Sequence, residues 1–315
     1  MENLPVLRAS FEATGSGHWL MQTIVDAGLD RRNDFRLDLK LSDDGVKGGL
    51  QATEARLAAG EVDFIDTDWL SIARCRRAGL KVTGAVPYGA IFGGLVVPSS
   101  SQVRVLADLP GCRIGVVRRL DKNWLLLRAV CKATEGFDPE HACKLVETGS
   151  KSALRERLCG GELDAALLFW HQVPVLVGSG EFREVCDMLD LLPSLGVAEV
   201  PSTFFVFRDE LVEAHPELVR GFARALRAAE LLLREDVSAW QQAIGNRSAD
   251  GPALRAKWLS RIKSGWQAGM AEELNKLAKC LGVLQTGTEF DGLPEGTLSA
   301  LLDAEKCNCV VLTTL

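Results

Sequence analysis

Long apolar runs are missing from this chain, and so is any excess of positive charge. The most hydrophobic stretch, residues 85–97, contains one proline and three glycines. It is shorter than the ~20 residues a membrane-spanning helix needs, so no membrane insertion is expected. Lys and Arg number 36 against 42 Asp and Glu, a formal net charge of −6. Nucleic-acid binding draws on a basic surface, so no nucleic-acid partner is expected. Arg74, Arg76 and Arg77 cluster on an apparent helix, but acidic segments balance them and a solvated helix face accounts for them. The opening residues Met1-Glu2-Asn3-Leu4-Pro5 lack the basic and apolar regions of a secretory leader. A cytoplasmic location is expected for the sequence as it stands, and a periplasmic one if a leader was trimmed.

Catalytic signatures are scarce as well. No phosphate-binding Walker loop, dinucleotide fingerprint, His-Glu-x-x-His or Ser-His-Asp order is present. No cofactor, metal or catalytic residue is expected on these grounds. The nine cysteines are odd in number and scattered, unlike a disulfide framework, and fit a reducing compartment. Cys307-Asn308-Cys309 offers two thiolates near the chain end, which do not fill a tetrahedral zinc site.

What the chain has is the balance of a globular protein, 47% hydrophobic and 25% charged, over 315 residues, enough for two domains that each bury a core. Strand and helix patterns alternate along it. Strands are expected at residues 4–10, 35–41, 62–65, 93–97, 113–117, 144–147, 164–169 and 201–206. Helices are expected between them, at residues 18–27, 48–59, 69–78, 123–134, 151–160 and 174–178. Loops are expected at 66–68 and 118–122. Helices follow at 215–234, around Trp240, and over 253–282 and 297–305. Such alternation is the mark of a parallel, doubly wound sheet.

Three segments carry a resemblance: Gly60-Glu61-Val62-Asp63-Phe64; Val105-Leu106-Ala107-Asp108-Leu109-Pro110-Gly111-Cys112-Arg113-Ile114-Gly115-Val116; and Gly160-Gly161-Glu162-Leu163-Asp164-Ala165-Ala166. With the stretch from Phe207 to Arg220, they resemble the type II periplasmic-binding-protein fold. The similarity is to its NMT1/THI5-like branch, which holds nitrate, sulfonate (SsuA-like) and taurine solute-binding proteins, and it covers most of residues 5–245. The resemblance implies an α/β, two-lobed fold, each lobe a doubly wound, mainly parallel sheet, with a helical C-terminal region. It implies lobe 1 from residues 1–90 plus 200–315, lobe 2 from 91–199, and a closing hinge near 87–95 and 195–203. The implied role is binding a small-molecule ligand for an ABC transporter, with a permease as partner if the chain is exported.

In such folds ligands sit beyond the carboxyl ends of the strands. The loops to inspect are residues 10–19, 66–69, 118–124 and 169–171. Four of the seven tryptophans fall there, Trp19, Trp69, Trp124 and Trp170, beside a single tyrosine in the whole chain. Their faces suit a conjugated ligand or a cation, or else a core under a helix. Arg118, Arg119 and Lys122, before a helix that Asp121 or Asn123 caps, suit an anion. Ser16 opens another helix, and Thr67 and Asp68 a third, where Asp68 also fits a plain N-cap. His18 and His171 lie on the same loops and suit a ligand contact. The expected ligand is therefore anionic and partly aromatic. The alternative is a cytoplasmic enzyme on the same fold, acting on a sulfur- or nitrogen-containing small molecule. Against its known branches, residues 191–202 lack the cysteine run of the thiamine-pyrimidine synthase, and residues 10–19 lack a desulfinase cysteine.

Overall fold

A computed structural model describes residues 4–13, 15–42, 49–245, 251–286, 293–295 and 297–298. Cys307, Cys309 and most of the helix expected over 297–305 lie outside them. Ten strands form two five-stranded sheets. The first holds β1 (Val6–Glu12), β2 (Arg36–Ser42), β3 (Phe64–Asp68), β4 (Val82–Gly89) and β10 (Thr203–Arg208), in the order β2-β1-β3-β10-β4. The second holds β5 (Gly94–Pro98), β6 (Arg113–Val116), β7 (Lys144–Glu147), β8 (Ala165–Leu168) and β9 (Phe182–Asp187), in the order β7-β6-β8-β5-β9. Within each sheet the first three strands pair in parallel, and the fourth, β10 or β5, runs antiparallel to both neighbours. The two antiparallel strands are those that follow the chain's passages between the sheets, so each lobe is completed by a strand arriving from the other.

The recurring Gly-Glu-x-Asp segments have a structural explanation. In the first sheet, Arg8 Nη2 and Nε donate to Asp63 at 2.6 and 3.1 Å, and the Arg8 amide donates at 2.8 Å. In the second, Arg113 Nη2, Nε and amide meet Asp164 at 2.7, 3.1 and 2.7 Å. Each aspartate thus ties the start of one strand to the turn before its parallel neighbour with a two-pronged ion pair. The motif's acids hold the sheets together and do not face a ligand.

Two strands escape the expected pattern. β4 is buried along its whole length, so it shows no alternation, and Gly84, Pro87 and Gly89 interrupt it. Pro87 is tolerated because β4 is an edge strand. The C-terminal region covers that edge: Trp266 Nε1 donates to the Ala85 carbonyl at 3.1 Å, and the Gly265 amide to Pro87 at 3.2 Å. β9 is half-buried throughout and equally lacks period-two alternation. Residues 66–68, expected as a loop, are the last three residues of β3. Lys122 likewise leaves the expected loop and is the first residue of the helix Lys122–Val130.

One apolar core runs through both lobes. It joins Ile65, Trp69 and Ile72 to Leu95, Trp124 and Val130, and takes in Leu274, Leu277 and Leu281 of the helix Met270–Thr286. A second core fills the first lobe around Phe11, Phe64, Phe205 and Phe222, and it includes Trp170, which comes from the end of β8 in the other sheet. The helix Gly251–Arg261 reaches β9 through ion pairs of Lys257 with Glu184 (2.7 Å) and of Arg261 with Asp187. Among the described residues no helix is long and apolar enough to cross a membrane.

Candidate functional site

The carboxyl ends of the parallel strands converge between the two sheets on a cavity of about 70 Å³. From the first sheet come Glu12 at the end of β1, Ser16 opening the helix Ser16–Asp26, Asp66, Thr67 and Asp68 ending β3, and Tyr88 near the end of β4. From the second come Arg118, Asp121 and Lys122 after β6, Lys151 after β7, and Phe169, Trp170 and His171 after β8. At ~15 Å³ per water, the space takes about five water-sized groups.

Backbone geometry aims these side chains. Asp68 caps the helix Trp69–Arg77, its Oδ1 accepting the Ser71 amide at 2.9 Å. Asp121 caps the helix Lys122–Val130, accepting the Asn123 amide at 2.8 Å. Both helix starts therefore point into the cleft, with their free N–H groups and positive dipole ends. Gly17 is required at the third helix start: a Cβ there would meet Asp66 Oδ2 at 2.8 Å and the Phe11 ring at 2.9 Å.

Three contacts join the lobes across the cavity. Arg118 Nη2 donates to Asp68 Oδ2 at 3.4 Å and to Ser71 Oγ at 3.2 Å, and its Nη1 lies 3.9 Å from Glu54. Lys151 Nζ pairs with Glu12 and also sits 4.5 Å over the Phe169 ring. Trp170 meets Trp19 edge-on at 5.9 Å, and Trp19 meets Trp240 at 5.6 Å. The tryptophan faces are thus spent on one another, and only Trp170 lines the cavity.

The charges perturb each other. Burial raises the Asp66 carboxyl, the Glu12 charge raises it further, and Lys151 and Lys122 only partly offset this, so it titrates at about 7. Burial acts the same way on Asp68, but Lys122, Arg74, Arg118 and the Ser71 amide outweigh it and hold that carboxyl below its ordinary value. Tyr88 is raised well above its usual range, first by burial. Its hydroxyl is buried beside Ser16 without a hydrogen bond of good geometry.

Of the residues expected from sequence, the structure brings Ser16, Thr67, Asp68, Arg118, Lys122, Trp170 and His171 to the cavity. It places the others elsewhere. Trp69 and Trp124 are fully buried in the shared core, and Trp124 Nε1 donates to Glu140 at 3.1 Å. Trp19 packs behind Trp170. His18 is turned back, Nδ1 donating to the Ala13 carbonyl at 2.9 Å. Arg119 points to solvent and pairs with Glu140 and Glu147. Asn123 Oδ1 accepts the Gly93 amide at 2.9 Å and steadies the passage between the sheets. Sequence reasoning missed Glu12, Asp66, Tyr88 and Lys151. The strand-end rule reaches all four once the strand boundaries are right. Among the described residues no cluster of three or more His, Cys, Asp and Glu is arranged to hold a metal ion.

Comparison with known proteins follows this geometry. A curated relative, the 4-amino-5-hydroxymethyl-2-methylpyrimidine phosphate synthase of Schizosaccharomyces pombe, is 24% identical over 219 residues. The match covers 66% of this chain and 61% of that protein, so the chain corresponds to under two thirds of the relative's length. Among solved structures, the alkanesulfonate-binding protein SsuA of Xanthomonas axonopodis pv. citri, bound to MOPS, aligns with a TM-score of 0.72 at 18% identity, over 94% of this chain and 96% of that one. The desulfurization enzyme DSZB aligns with a TM-score of 0.62 at 15% identity, over 97% and 99%. These structures share the two-lobed periplasmic-binding-protein fold. The family model described as NMT1/THI5 like matches residues 38–236, well over half of the chain, and the protein belongs to that family.

Proposed function

We propose that the protein binds a small polar molecule in the cavity between its lobes and closes over it. It would serve as the ligand-binding component of a transport system or as a cytoplasmic relative of one. The observation that carries this reading is the cavity itself. Its walls are the strand ends of two separate sheets, and Arg118–Asp68, Lys151–Glu12 and Trp170–Trp19 bridge them. A site assembled only when two lobes meet fits hinge closure around a ligand. Lys122, at a helix start, supports an anionic group on that ligand. The sulfonate-binding relative agrees with this, and Tyr88, Phe169 and Trp170 supply an apolar wall. The test is intrinsic tryptophan fluorescence and thermal stability across sulfonates, carboxylates and nitrogen heterocycles. Lobe movement separates Trp19 from Trp170, so a ligand changes both signals. A flat response across the panel counts against the reading.

A second reading, an enzyme acting on a sulfur- or nitrogen-containing small molecule, is favoured by one observation. An enclosed carboxyl titrating at about 7 is suited to general acid–base work. Mass spectrometry of the same panel after incubation tests it. A product formed by the native chain and not by Asp66→Asn supports catalysis, and unchanged compounds throughout leave binding as the function.

A further inference from the structure

Two charged groups in the cavity differ from the rest. Arg118 is matched by Asp68 and Glu54, and Lys151 by Glu12. Asp121 is occupied by the Asn123 amide and by its Nδ2, each at 2.8 Å. Lys122 and Asp66 have no such partners. Lys122 lines the cavity and is only 6% exposed, yet its amine makes no hydrogen bond and no ion pair with any described residue. Asp66 takes no hydrogen bond from another side chain and pairs with no basic group within 4 Å among the described residues.

These two groups stand on opposite lobes, Asp66 in β3 and Lys122 at the start of the helix after β6. They are close enough to influence each other's charge but too far apart to touch. Their surroundings accentuate opposite signs. Lys122 adds its charge to the positive end of a helix, a placement that helps no helix and that an anion relieves. Asp66 faces Glu12, and two neighbouring carboxylates favour a proton or a donor group between them. A charge this enclosed is ordinarily paired or hydrogen-bonded, and here the missing partners lie on the cavity side.

We propose that the cavity takes a small dipolar ligand, an anionic group on Lys122 at one end and an N–H or ammonium donor on Asp66 at the other, so that the ligand bridges the lobes. The inference rests on the cleft-binding reading and deepens it. It replaces a purely anionic ligand with one of both signs. The size of the cavity limits the part held between the two anchors to about five heavy atoms, and Tyr88, Trp170 and Ile91 leave a carbon spacer no polar partner to miss.

The probes are three compounds of matched length, β-alanine, propionate and n-propylamine, titrated calorimetrically at pH 7. β-Alanine is expected to bind at least tenfold more tightly than either single-charge analogue. In Lys122→Met its affinity falls to that of propylamine, and in Asp66→Asn to that of propionate. The three-way comparison in the native protein needs no variant, so a misfolded variant does not weaken the test. If propionate or propylamine binds as well as β-alanine, cleft binding stands and the dipolar assignment is overturned. If none of the three binds, the assignment is also overturned, and cleft binding is then decided by the fluorescence panel.

Discussion

Replacing Asp66 by Asn is expected to stabilise the protein, and to do so only near and above neutral pH. Folding encloses this carboxyl, sets it beside Glu12, and moves its titration from 3.8 to about 7. Between those values the native protein holds a proton that the unfolded chain has released. Stability from this group is therefore full below pH 4 and is lost as pH rises through about 7. At ~1.36 kcal/mol per pH unit, the ceiling on the loss is about 4 kcal/mol. Water in the cavity raises the effective dielectric and brings the expected effect to roughly 2 kcal/mol. Asparagine keeps the shape and removes the charge. For a chain of this size ~1 kcal/mol moves Tm by about 2 °C, so Asp66→Asn should melt ~4 °C above the native protein at pH 8.5 and level with it at pH 4.5. Scanning calorimetry at pH 4.5, 6, 7 and 8.5 reads this directly. Parallel curves for the two proteins would refute the claim that enclosure beside Glu12 destabilises the ionised form.

Other expectations follow from the same contacts. Arg118→Leu leaves Asp68 and Glu54 facing each other unpaired across the cleft, so the lobes should part and the radius of gyration from small-angle scattering should rise; an unchanged value contradicts the bridging role. Trp170→Ala empties a ring-sized space in the first lobe's core and should cost ~3–5 kcal/mol in denaturant titration, whereas a loss below 1 kcal/mol would show that the ring is not anchored there. Thiol labelling at pH 8 should modify the exposed Cys159 and Cys280 quickly. Cys131 and Cys186, pushed up to about 12, and Cys143, pushed up to about 11, first by burial in each case, should react only on unfolding.

The fold was legible because each lobe repeats one grammar. The acid of each Gly-Glu-x-Asp turn clamps an arginine at a strand start, at Asp63–Arg8 and Asp164–Arg113, and the apolar run after it is a central strand. β4 was not legible, because a fully buried edge strand with two glycines and a proline has no period, and its edge is covered by residues some 180 positions later. The site was partly legible for the same reason. Ser16, Asp68, Arg118 and Lys122 follow from strand ends and helix starts, which sequence marks well. Asp66 was missed because its strand was ended one residue too soon, and Lys151 because the turn after β7 was not taken as part of the cleft. The tryptophans misled in a different way. Their positions on strand-end loops are real, but Trp69 and Trp124 point under their helices and Trp19 points at Trp170 and Trp240. Sequence gives the position of a ring and not its direction.

The central claim is that a small molecule occupies the cavity between the lobes, held by groups from both. Native mass spectrometry of the chain purified without denaturation tests it most directly, run beside a Lys122→Met/Asp66→Asn double variant. A bound species of low mass on the native chain, absent from the double variant, is the predicted result. A native chain that carries no adduct, or an adduct that the double variant keeps, would contradict the account.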